Sequence, residues 1–389
     1  MPVNKKYFLI RIVAWLHLWL GLISGLVIFI VSITGAIFVF QKEISEVTRK
    51  QTLFIHRHDT LHALPLQALL HRAQCAIGMQ KHISYVTVYT DSSRAWEFMA
   101  FAPGDPKGIF FPKTIQYYES VFVNPFTGEV TGKINYLHDF FIIVKNIHWS
   151  LFLNTRYGQP IVGWCTIIFI VILITGVILW FPPKWKRSEI KRAFMISWKS
   201  RWKRLNYDLH NVLGFYVFLV ALLLALTGSL FAFNWMRNLF AYQGKHQSKP
   251  KNSLHFHIRA EDGFIPDQVL YTVRHKFPHA TRFLLQLPPD NCSPITIIVY
   301  HQKEVYYDAS VFAFNQQTGE LLFHESFPYK TVGEKILQMN YDIHVGAIGG
   351  IMGKCVAFLG SMICASLPIT GLFIWIGKRK KKIKSLTSK

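Results

Sequence analysis

Residues 12–40 read IVAWLHLWLGLISGLVIFIVSITGAIFVF and contain no Lys, Arg, Asp or Glu. Three further stretches share this property, at 160–181, 211–236 and 355–376. Each is long enough to cross a hydrocarbon core of about 30 Å, which takes roughly 20 apolar residues in a helix. Backbone polar groups cannot stay unpaired in lipid, so helices are the expected spanning structures. The sequence therefore predicts a membrane protein with four transmembrane helices.

A histidine motif in the first stretch occurs twice in the chain. Leu-His is followed after three residues by Gly, at His17 and Gly21 and again at His210 and Gly214. Each glycine lies one turn after its histidine, on the same face of a helix. The missing side chain would let a flat macrocycle approach the backbone. Close packing of two helices is the alternative use of these glycines.

A second histidine motif precedes the second and fourth stretches. It reads Ile-His, at His148 and His344. A Thr-Gly dipeptide follows each of the four histidines, at Thr34-Gly35, Thr175-Gly176, Thr227-Gly228 and Thr370-Gly371, and the spacing from His17 to Thr34 equals that from His210 to Thr227. For these threonines we expect hydrogen bonds to their own backbone, with an imidazole as the alternative partner. The sequence thus predicts two tandem halves of similar design.

Basic residues set the predicted orientation. The net charge is +22, and nineteen of the 43 Lys and Arg residues lie at 1–11, 184–206 and 378–389, where Glu189 is the only acid. The positive-inside rule places these three segments in the cytoplasm. Because the basic residues adjoin helix ends, the charge is a topology signal, and we expect no nucleic-acid partner. The first span is expected to remain as an uncleaved anchor.

Topology sorts the four histidines into two pairs. His17 and His210 begin spans at the cytoplasmic face, whereas His148 and His344 precede spans at the outer face. A bis-histidine haem needs two imidazoles on facing helices at the same depth. No C-x-x-C-H motif for covalent attachment is present. We therefore predict that the four histidines are the axial iron ligands of two haem b groups. Interfacial capping of helix ends is the alternative role.

The sequence near His148 and His344 does not predict continuous helices. Thr155–Gly158 predicts a break before the second span, and several glycines follow His344. We therefore expect His148 and His344 on short interfacial segments that fold against the bundle. His138 lies in the same approach to the second span and is the alternative to His148.

Each outer connection predicts a small α+β lobe. Helices are expected at 64–76 and 266–277, and strands at 84–89, 96–101, 117–123, 282–287, 295–300 and 311–314. Both lobes end on Asn-x-x-Thr-Gly-Glu, at 124–129 and 315–320, which suits a turn that needs positive φ at Gly.

Taken in order, the Leu-His-x-x-x-Gly, Thr-Gly and Ile-His elements and the two lobes resemble the PepSY-associated transmembrane family, over nearly the whole chain. This family includes inner-membrane ferric-siderophore reductases of Gram-negative bacteria. The resemblance implies four spans in the bacterial inner membrane, b-type haem, PepSY-like periplasmic lobes and electron delivery to a ferric siderophore.

The predicted organisation combines these elements. It comprises the cytoplasmic tail and first span (1–41), the first lobe (42–137), an outer haem segment with the second span (138–183), a basic cytoplasmic loop (184–206), the third span (207–237), the second lobe (238–338), an outer haem segment with the fourth span (339–377) and a basic cytoplasmic tail (378–389).

The predicted function is transmembrane electron transfer to an extracytoplasmic ferric siderophore, which releases Fe(II). Neither G-x-G-x-x-G after a strand nor a Walker-type loop is present, so the expected electron donor is a quinol or a separate cytoplasmic reductase. Two alternatives belong to other classes. One is a non-enzymatic regulatory or sensor protein, and the other is a permease for the iron complex, which the four uncharged spans disfavour.

Overall fold

The computed structural model describes residues 5–56, 62–181, 186–241, 256, 258 and 263–387. Lys184 and Lys389, which belong to the predicted basic segments, lie outside these ranges. The chain divides into two compact units. The helix unit comprises Met1–Phe40, Val144–Arg237 and Ile343–Lys389, and the sheet unit comprises Gln41–Ile143 and Asn238–Asp342.

The helices of the described residues follow one another in chain order. They are α1 (Lys5–Val39), α2 (Gln41–Thr48), α3 (Lys50–Leu53), α4 (Leu66–Ile77), α5 (Phe140–Ser150), α6 (Thr155–Trp180), α7 (Arg187–Phe194), α8 (Trp202–Ala232), α9 (Asn234–Ala241), α10 (Ile265–Lys276), α11 (Val332–His344) and α12 (Gly350–Thr387). The strands are β1 (Ile83–Tyr89), β2 (Trp96–Pro103), β3 (Ile115–Val123), β4 (Val130–Asn135), β5 (Arg282–Gln286), β6 (Ile295–Tyr300), β7 (Ala309–Phe314) and β8 (Leu321–Ser326).

Four of these helices are long and apolar enough to cross a membrane, at Tyr7–Val39, Thr155–Trp180, Trp202–Ala232 and Ala347–Arg379. They cover nearly all of the four predicted stretches, so the predicted spans are confirmed as helices, although the third ends at Ala232, before the predicted end at 236. In the bundle, α1 packs against α6 and α12, and α8 packs against the same two helices. Because α6 and α12 each lie between them, α1 and α8 face each other diagonally across the bundle.

The break before the second span lies earlier than predicted. Thr155–Gly158 forms the first turn of α6, with the Asn154 side chain capping it through the Arg156 N–H at 3.0 Å. The chain reverses instead at Leu151 and Phe152, which have φ of 55° and 63°. The prediction was wrong because an Asn N-cap starts a helix more strongly than the glycine at 158 disrupts it.

The sheet unit contains one antiparallel sheet with the order β4-β3-β2-β1-β5-β6-β7-β8. The two segments predicted as separate lobes therefore share a sheet, joined where β1 pairs with β5 from Tyr85↔Gln286 to Tyr89↔Arg282. Each four-stranded sheet alone would expose an edge at β1 or β5, and their pairing removes both edges. A single buried core contains side chains from both segments, including Leu69, Phe98 and Val269.

Both predicted turns have the expected conformation. Gly128 and Gly319 have φ of 74° and 72°, and their N–H groups donate to the Asn124 and Asn315 carbonyls at 2.8 and 2.9 Å. Each asparagine side chain also accepts backbone N–H groups within its own turn. The turns lead into β4 and β8, two edge strands that the hydrophobic pattern did not predict.

Candidate functional site

The helix unit brings the four predicted histidines together as two pairs. The rings of His17 on α1 and His210 on α8 have centroids 6.3 Å apart and planes at 86°. The rings of His148 on α5 and His344 on α11 have centroids 6.1 Å apart and planes at 60°. We call these the first pair and the second pair.

The spacing of both pairs fits one iron between two imidazoles. A ligating imidazole nitrogen lies about 2 Å from its metal, and the ring centre lies about 1 Å further back, so opposed rings would have centroids about 6 Å apart. The observed separations are 6.3 and 6.1 Å. Two imidazoles that ligate one iron need no particular angle between their ring planes. The observed angles of 86° and 60° are therefore both compatible with such a site.

Each of the four paired histidines contacts the Thr-Gly dipeptide of a neighbouring helix. Nδ1 lies 3.1 Å from the Thr175 hydroxyl for His17 and 2.9 Å from the Thr370 hydroxyl for His210. In the second pair, the corresponding distances are 3.5 Å from Thr34 for His148 and 2.8 Å from Thr227 for His344. Each dipeptide therefore belongs to the same half of the chain as its histidine.

The glycine of each dipeptide makes room for the ring. A Cβ atom built at Gly35 would lie 2.9 Å from Cε1 of His148, and one at Gly228 would lie 3.3 Å from Cε1 of His344. Gly176 and Gly371 give 3.1 and 3.2 Å to the rings of the first pair. The imidazoles thus occupy the volume of the missing side chains, which explains why Gly follows Thr in all four copies.

Hydrogen bonding at Nδ1 defines the tautomer. A carbonyl can only accept, so Nδ1 carries the proton where it bonds to a carbonyl, as it does with Ile172 at 3.2 Å and Val31 at 2.8 Å. The rings of His210 and His344 also hydrogen-bond to backbone carbonyls, those of Leu367 and Leu224. Protonated Nδ1 leaves the lone pair on Nε2, which is the nitrogen that a metal would bind.

The threonines bond in both predicted ways at once. Thr34 and Thr227 donate to their own helix, at 2.6 Å to the Ile30 carbonyl and 2.7 Å to the Leu223 carbonyl. The hydroxyl proton is then used, so the oxygen can accept from Nδ1–H of the histidine. This arrangement fixes the direction of the Thr–His hydrogen bond.

The glycines one turn after the first pair differ from packing glycines. Among the described residues, no neighbouring atom lies within 4 Å of a Cβ built at Gly21, and the nearest to one at Gly214 is 3.8 Å away. At Gly163, by contrast, the Cβ of Ala232 would lie only 2.8 Å away. Close helix packing therefore does not explain Gly21 or Gly214, and each glycine leaves space one turn from its histidine.

His138, the alternative to His148, does not join either pair. It lies exposed in the 3-10 turn Tyr136–His138 of the sheet unit. His148 is the histidine that faces His344. Phe231 lies beside this pair, with its ring 5.7 Å from that of His344 in an edge-on arrangement.

A further repeat, not used in the sequence predictions, includes His210 and His344 and the three residues Asn-Tyr-Asp that begin it. Asn-Tyr-Asp-Leu-His at 206–210 recurs as Asn-Tyr-Asp-Ile-His at 340–344. The Asn and Asp side chains are buried in both copies. Asn206 donates to the Thr370 carbonyl at 3.0 Å, which ties it to the residue that contacts His210. A direct comparison of the residues preceding each histidine would have found this signal.

The contact at Gly35 leads to a stability prediction. We expect Gly35→Ala to lower the free energy of unfolding by about 1–3 kcal/mol, because a methyl group 2.9 Å from the His148 ring forces that ring to move. Thermal unfolding of the detergent-solubilised protein measures the effect. Gly377→Ala on α12 is the matched control, since its Cβ would meet no described neighbour within 4 Å. Equal melting temperatures for the two variants would contradict the described contact.

The described residues contain no group of three or more His, Cys, Asp or Glu side chains that could hold a metal ion. Each histidine pair could supply two nitrogen ligands to a metal, whose remaining ligands would have to come from elsewhere.

Comparison with family models agrees with the resemblance seen in the sequence, whereas comparison with curated proteins gave no match. The PepSY-associated TM region matches residues 14–378, which include all four apolar helical cores and both histidine pairs. The chain therefore belongs to the PepSY-associated transmembrane family.

Proposed function

We propose that this protein binds two b-type haems, one between the histidines of each pair, and transfers electrons across the membrane to a ferric siderophore. The observation that carries the proposal is the repeated anchoring of the four imidazoles. In each, a backbone carbonyl and a threonine hydroxyl hydrogen-bond to the ring, and the ring faces a second imidazole about 6 Å away. Haem bound through two imidazoles supplies a one-electron couple.

The separation of the two pairs supports transfer across the membrane. His17 and Thr34 lie 17 residues apart on α1, which is about 25 Å of helix at 1.5 Å per residue. Because Thr34 contacts His148, the two pairs lie near opposite ends of α1. His210 and Thr227 repeat this separation on α8, where Thr227 contacts His344. Bound groups at the two pairs would thus lie near opposite faces of a bilayer.

The direction of transfer follows from the basic segments. By the positive-inside rule the first pair lies at the cytoplasmic face, where a quinol or a separate reductase would supply electrons. The sheet-unit segments connect spans at the opposite face. Oxygen ligands of siderophores are hard and favour Fe(III) over Fe(II), so one-electron reduction weakens the complex and releases iron.

An absorption spectrum of the purified protein tests this proposal. We expect a red protein whose dithionite-reduced spectrum shows the sharp bands of low-spin b-type haem, because two imidazoles are strong axial ligands. The protein should be expressed with a haem precursor in the medium, so that haem supply does not limit the haem content. A colourless, folded protein under these conditions would contradict the proposal and favour a regulatory protein or a permease.

A further inference from the structure

The sheet unit contains a broad, open cleft between α4 and α10. Its cavity volume is about 1170 Å³, which exceeds the roughly 300–1,000 Å³ typical of sites for drug-sized ligands. The walls combine residues from both halves of the chain, including Leu66 of α4, Tyr271 of α10 and Phe283 of β5. A cleft of this size suits a ligand larger than a typical metabolite.

The cleft offers a positive charge that has no acidic partner among the described residues. The Arg274 guanidinium lies over the Trp96 ring, 5.5 Å from its centroid, and forms no ion pair with any carboxylate in the described part of the chain. Burial lowers the pKa of Arg274 below its ordinary value. A desolvated cation of this kind gains strongly from an anionic ligand, since water screens the attraction less.

Other polar groups of the lining favour the same ligand charge. Among the described residues of the lining, Asp267 is the only acid, and its two oxygens already accept the N–H groups of Leu66 and Gln67 at the start of α4. The Gln268 amide nitrogen is buried and has no hydrogen-bond partner in the described part of the chain. The described lining therefore has donors without partners and no carboxylate without one.

Aromatic residues form part of the remaining walls. Phe264 and Phe277 line the cleft and are half-buried, while Trp96 and Phe283 line it from the buried core. Tyr271 is exposed, with its ring stacked on that of His275. Aromatic side chains bind flat rings by offset stacking and edge contacts. The half-buried Arg274 guanidinium beside these rings favours a ligand that is both anionic and aromatic.

We propose that the α4–α10 cleft binds the ferric acceptor and prefers tris-catecholate chelates, which are anionic and carry three aromatic rings, over neutral tris-hydroxamate chelates. This inference rests on the proposed function and specifies its substrate class. Catecholate oxygens can accept from Arg274 and Gln268 while a catechol ring packs against the aromatic walls.

Gallium(III) complexes test the cleft without any electron transfer, because Ga(III) is not reduced under these conditions. Isothermal titration of the full-length, haem-loaded protein with a gallium tris-catechol siderophore should show saturable binding. The gallium complex of a tris-hydroxamate siderophore should bind at least about tenfold more weakly. Equal affinity for the two complexes, or no saturable binding of the first, would overturn the proposal.

Variants locate the binding site. Arg274→Gln should weaken tris-catecholate binding at least about tenfold, whereas Lys303→Gln, which removes an exposed charge elsewhere on the sheet unit, should leave it unchanged. Tyr271→Glu is the second variant, because this exposed side chain can change without disturbing the core. Wild-type affinity in either folded cleft variant would contradict the assignment.

The two proposals fail in different ways. Protein that binds gallium tris-catecholate but contains no haem would end the electron-transfer proposal and leave the cleft assignment standing. Haem-loaded protein that reduces a ferric complex, but whose affinity and rate do not respond to Arg274→Gln, would end only the cleft assignment.

Discussion

Replacing His344 with alanine should remove one of two haems from the protein and leave the other in place. His344 faces His148 at 6.1 Å, so its loss leaves the second pair with a single imidazole. The first pair has its own Thr-Gly contacts at Thr175 and Thr370 and does not depend on His344. Haem content should therefore fall from two per chain to one, with one low-spin ferric signal missing from the electron paramagnetic resonance spectrum.

The other three ligand variants should follow the same rule. His148→Ala should match His344→Ala, whereas His17→Ala and His210→Ala should each remove the first-pair haem and spare the second. His138→Ala is the control and should retain both haems, because its exposed side chain lies in the sheet unit. Retention of both haems in His148→Ala would contradict the assignment and make His138 the ligand to test next.

Fully reduced protein should be reoxidised when a ferric siderophore is added, with Fe(II) trapped by a chelator. Under the proposed orientation, the second pair lies at the extracytoplasmic face and passes its electron to the acceptor directly. In a single turnover, His344→Ala should therefore slow reoxidation by at least about tenfold, and His17→Ala should have a smaller effect. Stopped-flow absorbance at the reduced haem band measures both rates.

Comparison of several ferric complexes shows whether a ferric siderophore accepts the electron. Ferric tris-catecholate, tris-hydroxamate and citrate complexes should be compared at concentrations well above their affinities. The corresponding gallium complexes are the controls and should cause no reoxidation. If none of the ferric complexes accelerates reoxidation above the rate with gallium, the protein is not a siderophore reductase, although its haem assignments would be unaffected.

Much of the helix unit could be predicted from the sequence, because its signals are local. Uncharged stretches define the spanning helices, and the repeated spacing identifies the four histidines that the structure pairs. The contact partners of the Thr-Gly dipeptides were less predictable. Thr34 lies 114 residues from His148 in the chain, and no local pattern indicates which imidazole it contacts.

The sheet unit was predicted less completely, for two physical reasons. Edge strands lie outside the core and need no regular burial pattern, so β4, with Lys133 near its middle, does not read as a strand. The joining of β1 to β5 depends on backbone pairing between residues about 200 positions apart, such as Val86 and Leu285. Each segment alone shows only that it can form a strand.

The pyridine haemochrome assay on detergent-purified, full-length protein is the most direct test of whether the two histidine pairs bind two haems. It extracts non-covalent haem and reports both its type and its amount per chain. Two pairs of anchored imidazoles predict two b-type haems per chain in protein supplied with haem precursor during expression. One haem per chain would remove the assignment of one pair, and a folded protein with no haem would contradict the account.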